Sequence, residues 1–162
     1  MDRDQFVIVF REYLGSISSY LARRVNSNQV EDLASEIFEI AWRKREQCPA
    51  GFELPWLYRI SSFVVANHRR KESRKPVIMS FLDSDKAAPS AEDIFLEGAE
   101  ISKAFSQLSP SDRQILSLLV FENLSITEIS VVLGLSANTT SQRLKRARTR
   151  LAKNINDQLS DS

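Results

Sequence analysis

The 162 residues are 43% apolar and 27% charged, a balance that fits a folded chain and excludes a disordered one. Twenty-two basic residues stand against 21 acids, so net charge says nothing about a polyanionic partner and only its distribution can. A single cysteine, Cys48, excludes an internal disulfide and makes a reducing cytoplasm the expected compartment.

The opening MDRDQFVIVFREYL carries charges within its apolar stretch and lacks a signal-peptide pattern. No window approaches about 18 uncharged apolar residues, so no membrane insertion is expected. Four glycines and five prolines are few, and no stretch alternates for long as a strand would. The expected class is all-α.

From Asp2 to Arg24, the residues Phe6, Phe10, Tyr13, Leu14, Ile17 and Leu21 recur at helical steps and predict an amphipathic helix. Asn26-Ser-Asn interrupts it and offers a cap for a second helix over roughly 29–45, with Leu33, Ile37, Ile40 and Ala41 on its buried side. Cys48-Pro-Ala-Gly ends that helix. A third starts near Leu54, with Pro55 in a tolerated first-turn position. Trp56, Ile60, Phe63 and Val64 form its apolar face, and it runs into a basic cluster of Arg69, Arg70, Lys71, Arg74 and Lys75 against the single acid Glu72.

Composition then changes. Residues 76–98 hold five acids (Asp83, Asp85, Glu92, Asp93 and Glu97) against Lys86, with Pro76, Pro89 and several serines. That is the make-up of a flexible acidic linker. Beyond it, Ile101, Phe105 and Leu108 predict a helix that stops at Leu108-Ser-Pro, and Ser109-Pro-Ser-Asp opens the next. Ser125 and Glu128 have capping-box spacing, Gly134 supplies a turn, and Ser136 can cap the last helix. The expected architecture is two small helical domains, 1–75 and 99–158, joined by the linker 76–98. Cores this small are marginal alone, so packing against something larger would add to their stability.

The segment 122–150 has the layout of a helix-turn-helix. At 100° per residue, Thr140, Leu144, Ala147 and Leu151 share one face of its second helix, while Asn138, Gln142, Lys145 and Thr149 lie opposite, flanked by Ser141 and Arg146. Five cations, Arg143, Lys145, Arg146, Arg148 and Arg150, crowd this helix without an intervening acid. Amide, hydroxyl and cationic groups on an exposed face suit the major groove, where Asn and Gln pair with adenine and Arg or Lys with guanine. In the amino-terminal half, Trp56, Tyr58 and Phe63 precede the basic cluster, and aromatics beside cations can hold unstacked bases. On an apolar stripe, however, such rings are usually core.

Catalysis is not expected. His68 is the only histidine, so no His-pair metal site exists, and neither GxxxxGK[ST] nor GxGxxG occurs. The reading is of no catalytic residues, no metal and no cofactor.

Three stretches in order, VEDLASEIFEIAWRK (30–44), PWLYRISSFVVANHRRK (55–71) and LSPSDRQILSLLVFENLSITEISVVLGLSANTTSQRLKRARTRL (108–151), resemble the extracytoplasmic-function (ECF) sigma factors of bacterial RNA polymerase, group 4 of the sigma-70 family. The resemblance covers nearly the whole chain. It implies a region 2 domain of three helices, a region 4 helix-turn-helix domain, core RNA polymerase and promoter DNA as partners, and a cytoplasmic location. It implies that Glu31, Asp32, Glu36 and Phe38 face the polymerase. Trp56, Asn67, His68, Arg69, Arg70 and Lys71 would open and read the −10 element. Asn138, Ser141, Gln142, Arg143, Lys145 and Arg146 would read the −35 duplex. Members of the family often have an anti-sigma factor, so the resemblance admits one as a further partner.

Two residues depart from the family pattern. Phe63 stands where many relatives carry an asparagine that recognises a flipped base, and Thr140 occupies a core position usually given to valine. A hydroxyl there weakens packing unless it bonds back to a carbonyl of its own helix. Two other functions fit parts of the sequence. A stand-alone helix-turn-helix regulator would use 108–151 and leave the WLYRI…ANHRR segment idle. A polymerase-binding adaptor would dock without reading promoters.

Overall fold

The computed structural model describes residues 1–73 and 99–161; the expected linker, together with Arg74 and Lys75, lies outside them. All regular structure among the described residues is helical, in seven α-helices. They are α1 (Arg3–Ala22), α2 (Val30–Arg43), α3 (Glu53–Ser73), α4 (Ala99–Ser106), α5 (Pro110–Val120), α6 (Ile126–Leu133) and α7 (Ala137–Ser160).

Local chemistry sets most of the helix ends. Asp2 and Gln5 form a capping box at α1, each side chain accepting from the other's backbone N–H at 2.8 and 3.0 Å. Ser125 and Glu128 form the second box, at α6. Ser109 caps α5, with Pro110 in its first turn, and Ser136 accepts from the N–H of Thr139 to cap α7. The Asn26 expectation is corrected: its side chain makes no capping bond, and a 3-10 turn over Ser27–Gln29 leads into α2 instead.

The first three helices pack on one another around Ile17, Leu21, Ile37 and Leu57, all with 0% exposure. Edge-to-face contacts of Phe6 with Trp42 and of Phe10 with Phe38, ring centroids 5.1 and 4.8 Å apart, fasten α1 to α2. In the second group α7 is the spine against which α4, α5 and α6 all pack. Inside it Arg113 is buried and donates to the carbonyls of Ser106 and Leu108, satisfying backbone acceptors where α4 ends.

The two groups are not held apart. Their apolar residues belong to one buried cluster, and α3 lies against α6. Each small core is thus packed against the other half of the same chain.

Candidate nucleic-acid interface

Helix α7 enters from a tight turn. Gly134 closes α6 in the left-handed region at φ 66°, and the N–H of Leu135 returns to the carbonyl of Ser130 at 3.0 Å. A side chain at Gly134 would meet both that backbone constraint and the guanidinium of Arg59. The turn aims α7 so that Thr140, Leu144 and Ala147 are buried at 0, 2 and 0% exposure, with Leu151 half-buried. The opposite face leaves Asn138, Ser141, Gln142, Arg143, Lys145 and Arg146 all exposed. Asn138, Ser141, Gln142, Lys145 and Arg146 share this open surface, while Arg143, exposed as well, stands at the flank of the packed face beside α5 and the α6–α7 turn. The projection from helical periodicity holds residue by residue, because a helix with one buried stripe has no freedom in which residues face out.

Charge on this face is uncompensated. Arg150 reaches Asp112 at 2.9 Å, but among the described residues no carboxylate pairs with Arg143, Lys145, Arg146 or Arg148. Arg143, Arg146 and Arg150 also line a pocket of about 340 Å³ with Ser111, Gln114 and the single acid Asp112, so it is net positive. Thr140 has a simple account. Its hydroxyl donates to the Ser136 carbonyl at 2.8 Å, so the polar atom is satisfied inside the helix and only the methyl faces the core.

On the first domain the acidic face of α2 is open: Glu31, Asp32, Glu36 and Glu39 are exposed. Phe38 is 5% exposed and packs against Phe10, so it supports this surface from beneath and does not project from it. The residues expected at the −10 element divide. Asn67, Arg70 and Lys71 are exposed and His68 half-buried along the end of α3. Trp56 is core, at 7%. Arg69 is also inside, at 8%, where Nη2 donates to the carbonyl of Arg24 at 2.6 Å. Phe63 goes the other way: placed on the apolar stripe by its spacing, it is 62% exposed, one turn from Arg59, whose guanidinium lies 5.5 Å from the ring centroid. For Trp56 the apolar stripe predicts burial and the resemblance a DNA contact, and burial is what is found; Phe63 alone departs from the stripe, and Arg69 is drawn inside by the Arg24 carbonyl.

Two described residues that look chemically useful are quiet. The Cys48 thiol is pushed up to about 11, first by burial and then by the charge of Glu53, which leaves little thiolate at neutral pH. Burial, and secondarily the charge of Glu122, raises the Tyr58 phenol and keeps it neutral. Among the described residues no group of three His, Cys, Asp or Glu side chains could hold a metal ion, and no helix is long and apolar enough to cross a membrane.

Comparison with known families agrees with this geometry. The family model described as Sigma-70 region 2 matches residues 9–75, and that described as Sigma-70, region 4 matches residues 98–151. The chain belongs to the sigma-70 family. Among curated relatives, the ECF RNA polymerase sigma factor SigE of Mycolicibacterium smegmatis is 32% identical over 139 residues, covering 81% of this chain and 54% of that protein. The RNA polymerase sigma-H factor of Pseudomonas aeruginosa is 28% identical over 174 residues, covering 94% and 86%. The chain thus spans about half the length of the first and most of the second. Among solved structures, the sigma factor RpoE of Bartonella quintana, in complex with the anti-sigma factor NepR, aligns over 95% of this chain and 96% of its own. Its TM-score is 0.59 at 23% identity, a likeness of fold. Relative to its ECF relatives, this sigma factor keeps both modules in the expected order, with α1–α3 as region 2 and α4–α7 as region 4.

Proposed function

We propose that this sigma factor binds bacterial core RNA polymerase in the cytoplasm and directs promoter-specific initiation as a binding subunit, with region 2 opening the −10 element and region 4 reading the −35 duplex. The observation that carries this reading is the uncompensated outward face of α7, present in the same chain as the exposed end of α3. The first can dock in a major groove. The second combines Asn67, Arg70 and Lys71 with the exposed ring of Phe63, a platform for an unstacked base. Phosphate contacts from these cations supply salt-dependent affinity, and the few base-edge contacts supply sequence choice. The exposed acids Glu31, Asp32 and Glu36 form the polymerase-facing surface. An anti-sigma factor such as those seen with its structural neighbours is a further partner in this reading. The domains run over 1–75 and 99–158, with 76–98 between them.

Run-off transcription with core polymerase and a pool of promoters tests the proposal. New start sites that depend on the chain are expected; an adaptor would produce none, and a stand-alone regulator would footprint a palindrome without polymerase. On this reading Arg143→Ala or Lys145→Ala weakens −35 binding by about 1–3 kcal/mol, with relaxed choice at one base position if the side chain meets a base edge. Unaltered activity on every −35 variant would remove the direct-readout role. Asp32→Arg is expected to reduce polymerase affinity at a cost of only about 1 kcal/mol in stability, because Asp32 is exposed and the change opposes only the helix dipole in the first turn of α2. Equal affinity in a pull-down titration would sink the docking assignment.

A further inference from the structure

Phe10 and Phe63 are the two most exposed aromatic side chains among the described residues, at 37 and 62%. Phe10 is committed to its edge-to-face contact with Phe38. Phe63 has a cation beside it instead. Arg59, one turn earlier, donates to the Val132 carbonyl at 3.3 Å and lies over the Phe63 ring, 5.5 Å from the centroid. One face of the ring is thus backed by a fixed guanidinium, and the rest of the side chain meets solvent. At 100° per residue, Arg59, Phe63, Asn67 and Arg70 fall within about 80° of one another on α3. Phe63, Asn67 and Arg70 are exposed, Arg59 is half-buried, and no acid occurs from Arg59 to Lys71.

A phenyl ring has no hydrogen-bonding atom, so it cannot read the edge of a base and offers only a face. Bases inside a duplex have both faces covered by their neighbours, so the fitting ligand is an unstacked base of a single strand. Stacking on a face is nearly indifferent to base identity, apart from the larger surface of a purine. Any sharper choice must come from a neighbouring polar group. Asn67 stands at i+4, where side chains on a helix lie about 5–6 Å apart, within reach of the edge of a base laid on the ring. An amide matches adenine with one acceptor and one donor, against N6–H and N7. Guanine presents acceptors at both O6 and N7, which leaves the amide oxygen unmatched. Arg70, on the same stripe, can take a flanking phosphate.

We propose that Phe63 is a specificity-determining residue of the −10 site: it holds one unstacked purine by its face, and the Asn67 amide selects adenine at the edge. The inference rests on the promoter-opening function proposed above. It also separates this chain from relatives with an asparagine at this position. A side chain that reads an edge rejects the wrong base, whereas a ring with a neighbouring amide tolerates every base and holds adenine best.

The test uses holoenzyme assembled from core polymerase and the full chain, on a promoter recovered by run-off transcription. Its −10 non-template strand is scanned with an abasic site, and the sensitive position is then given adenine, guanine, or a nonpolar isostere of adenine. One position should lose about tenfold in open-complex affinity when abasic. There adenine should bind more tightly than guanine, and the isostere should recover most of the abasic loss. Phe63→Leu should erase the abasic loss at that position alone, while Phe63→Trp keeps it, which separates a ring from apolar bulk. Asn67→Ala should keep the abasic loss and remove the preference for adenine. An abasic loss of equal size in the parent and in Phe63→Leu overturns the stacking role and leaves the promoter reading standing. An adenine preference that survives Asn67→Ala overturns the edge assignment. Weaker assembly of Phe63→Leu with core polymerase in the absence of DNA would show that the ring meets protein, and overturns the proposal as well. If no promoter gives a chain-dependent transcript, the promoter reading fails by itself. The ring is then judged with the full chain on fluorescent single-stranded oligonucleotides, where binding by Phe63→Leu equal to that of the parent overturns stacking and weaker binding supports it.

Discussion

Leu144→Ala is expected to destabilise region 4 by about 2–5 kcal/mol and to abolish −35 binding with it. Leu144 is 2% exposed and sits on the inner face of α7, in the same buried cluster as Ile129, Val132 and Leu116. Truncation removes its transfer energy and leaves a cavity that a helical spine, held by three other helices, is poorly placed to collapse. Small domains have little stability to spare, so this single change consumes a large share of it. Urea denaturation followed by circular dichroism reads the loss directly. Lys145→Ala, one residue away on the outer face, should lose DNA affinity with an unchanged midpoint. A wild-type midpoint for Leu144→Ala would show that the inner face is not packed as described.

Arg69→Ala is expected to lower the stability of region 2 by about 1.5–3 kcal/mol, the range for a hydrogen bond from a charged donor. Its side chain ties the end of α3 to the Arg24 carbonyl at the end of α1, and it is too enclosed to reach a DNA strand from that position. Arg70→Ala, at the neighbouring exposed site, should leave stability within about 0.5 kcal/mol. It should instead reduce transcription from duplex promoters more than from templates with a pre-opened bubble. Replacing both arginines together would mix a folding defect with a DNA defect, so the single variants are the informative ones. If Arg69→Ala melts like the parent and fails only in transcription, Arg69 leaves its buried site to meet DNA, and the structural role assigned here is wrong.

These neighbours show why part of the site was legible and part was not. The outward face of α7 follows from helical periodicity because a helix packed along one stripe leaves no choice about the other side. The basic end of α3 reads as three equivalent cations, and nothing in ANHRRK separates Arg69 from Arg70. Only the position of the α1 carbonyls does that. Trp56 follows the stripe and departs from the role that the resemblance implies, whereas Phe63 departs from the stripe itself. Both lie on one apolar stripe, yet the Trp56 end is enclosed by packing and the Phe63 end is left open. Thr140 looked costly in the core until its partner was known, a carbonyl four residues back.

The buried ion pair of Arg24 with Glu122 had no signal of its own. The two are ordinary charged residues at helix ends, 98 positions apart, and neither breaks a local rule that would mark it. The helices, most of their caps, the order of the two modules and the face of α7 that meets solvent were determined by the sequence, because each depends on residues within a few turns of one another. How deep an arginine lies, which aromatic ring stays exposed and whether the two modules touch were decided only by tertiary structure. Burial and ion pairing depend on what packs opposite, and local spacing does not encode that.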